Sequence, residues 1–430
     1  MGAVSSWSSL LPDDAVLEIL LRVPPEPIYL LRASLVCKKL LRLVREPAFL
    51  REFRARHCNV APLVGFFYPD GTFVPAGDPL DRVAAEYFSQ LHGDDGRRWR
   101  VFSSRHGRVL LSRTEHGTEP ELLVWDPMTG DRIYLPPPRN LVYPETGYLY
   151  PAGNFPGSHP VANSPFVRAA LVCGDDSEDC RSRPFRVVLL FSSSGNLFSI
   201  VYSSHADAWG DVVSVNGRWC SIGDWEPGSV LVRNEQLYWP ERHVEYRTVG
   251  PSSPFSPLRR VEIPDHSSKM FGYNLATNWL RHVRGLDVSR HRDDPYDCLQ
   301  VFKDGHGELG LAAVRGSRLH LFEPVIEDEE IATWSEYRNL DLDALLPPPT
   351  PLGLSPRAPV RRRPLGFDGN GSTIFLDTEN GVFALHIESF KVNKVLDAGV
   401  LRPYINIAAS TMIPYMSFFV ACGTNLSPPT

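Results

Sequence analysis

Between two runs of aliphatic and aromatic residues, Glu121 to Trp125 and Arg132 to Pro136, the chain carries Asp126-Pro127-Met128-Thr129-Gly130-Asp131. The Asp126 carboxylate is short enough to fold back onto the backbone amides that follow it, and Gly130 tolerates a positive φ. Together they predict a four-residue hairpin loop with a bulge, joining two antiparallel strands. The same module recurs in Met270 to Leu286, with Asn274 in the place of Asp126, Thr277 in that of Thr129 and Asn278 in that of Gly130. Ser372 to Ile387 turns on Asn380-Gly381, and Arg186 to Ser203 turns at Gly195-Asn196. Gly228 to Pro240 and Gly307 to Pro324 each read as two short strands around a polar break.

Strand pairs repeating irregularly, roughly every forty to sixty residues, predict blades that can bury their faces only against neighbours. The expected architecture is therefore an all-β propeller of about six blades, with seven as the other count, over residues 60–425. A pair of β-sandwiches is the competing arrangement. The last strands, Tyr404 to Phe419, are expected to pair with chain just after Phe53 and so remove the open edges of an unclosed array. Asp81 to Leu91 reads as one connecting helix. Two proline-rich stretches, 136–165 and 346–364, interrupt the strands; connections of this length on a rigid scaffold are where binding is carried, the alternative being a solvated linker.

The composition agrees: 39 Pro and 32 Gly in 430 residues punctuate the chain too often for long helices. The seven cysteines, Cys37, Cys58, Cys173, Cys180, Cys220, Cys298 and Cys422, are odd in number and scattered. That argues against a disulfide framework and for a reducing compartment, cytoplasm or nucleus. A net charge of −6 gives no footprint for nucleic acid. The longest apolar stretch, Ile405 to Cys422, is broken by Pro414 and reads as strands rather than a membrane span. Met1 to Leu11 lacks the basic start of a signal peptide, although Gly2 with Ser6 matches a loose lipidation pattern.

Signatures of catalysis are missing from the sequence. It has no G-x-S-x-G elbow, no phosphate-binding Gly-rich loop and no H-E-x-x-H. Acidic runs such as Glu327 to Glu330 lack the spacing of a calcium loop, and Cys173 with Cys180 fits no zinc pattern. His106, His205, His243, His306 and His320 sit beside turns or in strands, and Asp304-Gly305 and Asp368-Gly369 are turn makers. No cofactor and no metal are expected.

The stretch Ser9 to Phe53 follows a different period. Asp13 and Asp14 after Pro12 are expected to cap a helix with their carboxylates. Val16, Ile19, Leu20 and Val23 recur at three- and four-residue spacing before Pro24-Pro25 ends the helix. Pro27 opens a second helix with Ile28, Leu30, Leu31 and Leu35. The third carries Leu40, Leu41, Leu43 and Val44 among Lys38, Lys39, Arg42 and Arg45, and Pro47 is expected to stop it, with Phe49 and Leu50 covering the end. Three short helices leave much apolar surface wet and want a partner. Residues 1–60 hold nine Lys and Arg against six Asp and Glu, so the partner that suits them is acidic.

These residues resemble the F-box. Leu11-Pro12, Asp13-Asp14, Ile19-Leu20, Leu30-Leu31-Arg32, Val36-Cys37-Lys38 and Pro47-Ala48-Phe49 stand at the family's positions, with Leu40 where the family usually has Trp. The Val-x-Asp/Asn-Pro-x-Thr-Gly hairpin also resembles the F-box-associated β-domains of large plant families. The resemblance implies an F-box over residues 9–53 that binds a Skp-type adaptor, and through it a cullin, while the β domain holds a protein substrate for ubiquitin transfer. The chain would then be a non-catalytic subunit without nucleic-acid or membrane partners. The residues implied at the adaptor are Leu11, Pro12, Ile19, Leu20, Leu30, Leu31, Val36, Cys37 and Leu40. The reading from a different class is a propeller enzyme or sugar-binding lectin capped by the helices.

Overall fold

The computed structural model describes residues 11–58, 60–78, 82–83, 88, 99–113, 121–138, 166–173, 183–193, 196–216, 230–232, 236–241, 244–249, 259–264, 267–287, 298–328, 330–348, 362–369, 371–398, 400 and 412–418. Apart from Arg82, Val83 and Phe88, the Asp81–Leu91 stretch expected as a helix lies outside the described residues, as do Gly195, most of the two proline-rich stretches and Gly2.

Four helices, not three, form the N-terminal head: α1 (Asp13–Leu20), α2 (Pro27–Val36), α3 (Lys38–Arg45) and α4 (Pro47–Arg56). Pro47 does end α3, but it also begins α4, because a first helical position needs no backbone N–H and favours the fixed φ of proline. Phe49 and Phe53 on α4 are buried, so this helix completes the head's core.

A six-bladed propeller follows. Blade 1 begins with β1 (Leu63–Phe67) and β2 (Phe73–Pro75). Blade 2 is β3 (Arg100–Arg105), β4 (Arg108–Arg113), β5 (Glu121–Trp125) and β6 (Arg132–Leu135). Blade 3 is β7 (Phe166–Val172), β8 (Arg186–Ser193) and β9 (Asn196–Ser203), with β10 (Ala208–Trp209) and β11 (Val213–Asn216) sharing its outer edge. Blade 4 is β12 (Val230–Val232) and β13 (Gln236–Glu241), then an inserted hairpin of β14 (Val244–Val249) and β15 (Arg259–Pro264), then β16 (Ser267–Asn274) and β17 (Trp279–Asp287). Blade 5 is β18 (Cys298–Lys303), β19 (Leu309–Arg315), β20 (Arg318–Glu327) and β21 (Glu330–Asp341), followed by the single turn α5 (Leu342–Leu345). Blade 6 is β22 (Arg362–Phe367), β23 (Thr373–Thr378), β24 (Gly381–His386) and β25 (Val392–Asp397). The chain then returns as β26 (Ile413–Met416), which pairs antiparallel with β1 and closes the ring.

Six interblade cores make the ring. Side chains of successive residues leave opposite faces of a strand, so in a propeller they enter the two neighbouring interfaces. Val187 and Leu189 pack towards blade 2, whereas Val188 and Leu190 pack towards blade 4. Leu311 and Ala313 face blade 4 while Ala312 and Val314 face blade 6. This double burial is why the strands read as continuous apolar runs rather than as alternating ones. The last interface joins Leu365, Phe375 and Val382 of blade 6 to Phe66, Tyr68 and Val74 of blade 1.

The turns are built as their residues dictate. Asp126 Oδ1 accepts from the amides of Met128 (2.9 Å) and Thr129 (3.2 Å), and Gly130 has φ +79°. Asn274 Oδ1 accepts from Ala276 and Thr277, both at 2.9 Å, and Asn278 has φ +53°. Two further blades repeat the backbone frame without the motif. Ser203 pairs with Ala208 around a positive φ at Asp207, and His386 bonds Lys391 and Phe390 around a positive φ at Phe390.

Candidate docking surface on the helical head

The head's core is built from Val16, Leu20, Leu21, Leu30, Leu43, Val44, Phe49 and Phe53, and it includes Phe418, the residue two beyond β26. Phe418 meets the Phe53 ring edge-on at a centroid distance of 6.5 Å, and Phe53 in turn lies beside Phe49 and His57. The amide of Ser417 donates to the carbonyl of Pro62 at 3.1 Å, and Ile28 on α2 packs against the core between blades 1 and 2. The head is thus seated on the ring through α4 and one residue of α2.

That seating leaves other apolar residues uncovered. Leu11 is 47% exposed, Ile19 54%, Leu35 67% and Val36 73%, and Pro12 is exposed beside Leu11. Large apolar side chains are individually common at surfaces, but here several stand on one small unit whose other large apolar side chains are buried or half-buried.

Of the nine residues the sequence marks for the adaptor, Leu11, Pro12, Ile19 and Val36 face solvent. Leu31, Cys37 and Leu40 are half-buried, Leu31 and Leu40 against the head's core. Leu20 and Leu30 are corrected to core: Leu30 is 0% exposed, and both sit among α3 and α4 side chains. A unit this small must use part of its apolar surface to hold itself together. Leu35, named with Ile28, Leu30 and Leu31 among the apolar residues of the second helix, is exposed. Its spacing carries the signal, since the buried residues of α2 are Pro27, Leu30 and Ser34, and Leu35 lies off that stripe.

The acidic start of α1 also departs from expectation. Neither aspartate caps the helix; Pro12 is the cap residue and no side chain bonds a first-turn amide. The Asp13 carboxylate reaches across to α3, Oδ1 to Lys39 Nζ at 2.7 Å and Oδ2 to Arg42 Nη2 at 3.3 Å. Lys39 Nζ also donates to the carbonyl of Leu11 at 3.2 Å. The hydrogen bond from Lys39 holds the Asp13 carboxyl below the usual carboxylate range.

Among the described residues there is no group of three His, Cys, Asp or Glu that could hold a metal ion. His106 occupies a tight turn at φ +49°, and His320 Nδ1 lies 3.2 Å from Glu336 in a surface ladder with Asn339. Asp304 and Asp368 bond the amides of their own turns. No helix among the described residues is long and apolar enough to cross a membrane.

Residues 8–52 match the F-box domain family, a stretch that takes in α1 to α3 and the first part of α4. The comparison with curated proteins found no match. Among solved structures, the chain is similar to one described under two prolyl endopeptidases, at 10% identity and a TM-score of 0.32, covering 93% of this chain and 41% of that one. It is similar to TolB from Acinetobacter baumannii at 9% identity and 0.31, covering 73% and 56%, and to the Dos1 propeller at 6% and 0.32, covering 69% and 59%. The chain therefore spans less than two thirds of the length of each. At these scores the similarities carry no argument, and the ring rests on its own strand pairing.

Proposed function

We propose that this chain is a substrate-recognition subunit of a Skp-cullin-F-box ubiquitin ligase, with an F-box over residues 9–53 and a substrate-holding propeller over residues 60–425. The observation that carries the reading is the uncovered set Leu11, Pro12, Ile19, Leu35 and Val36, on a head that matches the F-box domain and is already fixed to the ring elsewhere. A Skp-type adaptor covers that set and brings the cullin. The chain contributes no catalytic group; it raises the effective concentration of substrate lysines near the charged enzyme.

Strand order supports a division of labour between the two ends of the ring. The inner strand of blade 1, β26, ends where Phe418 enters the head, so that end holds the turns from first to second and third to fourth strands. The strand ends from which the chain passes between blades, those that bracket 139–165 and 349–361 among them, lie at the opposite end. A protein substrate is accordingly held away from the adaptor, at the end of the ring that faces the ligase's other arm. The test is co-purification. Full-length protein retains the adaptor, and the pair Leu11→Ala with Pro12→Ala loses it while the ring stays folded. Adaptor-free wild-type protein would overturn the reading.

A further inference from the structure

An aspartate at the first turn of a helix has orphan amides within reach, and capping them is its usual use. Asp13 leaves them alone and divides its carboxylate between Lys39 and Arg42 on α3. Lys39 holds Asp13 and the carbonyl of Leu11 with one ammonium group. The short lead-in that presents Leu11 and Pro12 has no helix of its own. It is nevertheless tied at two points to the helix that begins directly after Val36 and Cys37.

Exposed ion pairs add little to the stability of a fold, so stabilising the head does not account for this arrangement. Its geometric effect is specific. Extended backbone that must be ordered on binding weakens association, and ordering it beforehand removes that cost from the docking step. We propose that Asp13, Lys39 and Arg42 are positioning residues: they form a clamp that pre-orders Leu11 and Pro12 beside the α2–α3 junction for the incoming adaptor. The inference rests on the docking reading above and deepens it, because it assigns the adaptor's affinity in part to groups that act through Leu11 and Pro12.

The test uses the full chain and purified Skp-type adaptor, with Asp13→Asn, Lys39→Gln, the double variant, and Lys39→Arg. Each single variant is expected to bind about three- to fivefold more weakly, which is as much pre-ordering as an exposed ion pair can supply. The double variant is expected to be no worse than either, because the clamp is one device. Lys39→Arg, which keeps the charge, restores most of the affinity. Hydrogen exchange should quicken at residues 11–16 and stay unchanged in α2 and α4. If Lys39 instead touched an acidic adaptor directly, Asp13→Asn would free it and tighten binding. That result overturns the clamp, as does wild-type affinity in both single variants. A wild-type chain that binds no adaptor overturns the docking reading and the clamp together, so the two failures are told apart by the wild-type arm alone.

Discussion

Phe418 joins two structures that the sequence keeps apart, and replacing it with Ala should loosen the head from the ring. The side chain is only 9% exposed, belongs to the head's core, and meets Phe53 edge-on. It follows the strand that closes the ring. Truncating a buried Phe costs about 3–5 kcal/mol in transfer and cavity terms. The site lies at the rim of its cluster and can partly collapse, so the lower figure, about 3 kcal/mol, applies. The β1–β26 backbone pairing survives the change, so the loss falls first on the head's attachment. Hydrogen exchange read by mass spectrometry should show α4 amides opening about a hundredfold more often, with the cores between blades 3, 4 and 5 unaffected. The reasoning fails if Phe418→Ala leaves α4 protection as in wild type, since head and ring would then be independent units. It fails equally if the whole ring opens, since Phe418 would then be part of the closure itself.

Three further perturbations separate core, closure and ionisation. Leu30→Ala should cost the head about 2–5 kcal/mol in denaturant unfolding, whereas Val36→Ala, at an exposed position, should stay within about 0.5 kcal/mol while weakening adaptor binding. Gly65→Ala should destabilise blade 1 by about 1–3 kcal/mol, because the new methyl would collide with the Val74 carbonyl and lie 2.9 Å from Pro75 Cα on the paired strand; an unchanged melting temperature would refute it. Tyr202 is pushed up to about 12 by burial and by its hydrogen bond to Asp207, and Tyr273 to about 12 by burial. The folded chain therefore keeps protons that the unfolded chain has lost above the ordinary value of 10.0. Stability from both phenols is full below 10 and declines as pH rises towards 12, and Tyr202→Phe with Tyr273→Phe should flatten that decline in unfolding midpoints.

Legibility followed the range of the interactions. The hairpins at Asp126 and Asn274 were readable because a side chain bonding its own neighbours needs no other part of the chain. The same frame at Ser203–Ala208 and His386–Lys391 was not: Ser203 stands where the motif has Asp or Asn, and the second turn uses His386, whose Nδ1 accepts from the Ser389 amide at 3.2 Å, with Phe390 at positive φ. Closure by the C-terminal strand was foreseen from the need to remove edges, and β26 pairs with β1 as that argument requires. In the head, Pro47 fits both the end of one helix and the start of another, and local sequence does not choose between them. Tertiary packing also decides which member of an adjacent apolar pair faces inward: Leu20 is buried beside exposed Ile19, and Leu30 beside half-buried Leu31. Asp13 was misread for the same reason, since its partners lie on another helix.

The central claim is that the head's outward apolar side chains are the place where another polypeptide sits. Titrating the full chain with a Skp-type adaptor while following amide exchange addresses it most directly. Slowed exchange should appear at residues 11–20 and 31–40 and nowhere in the six blades. Exchange that is unchanged in the head, or slowed only in the blades, would contradict the account.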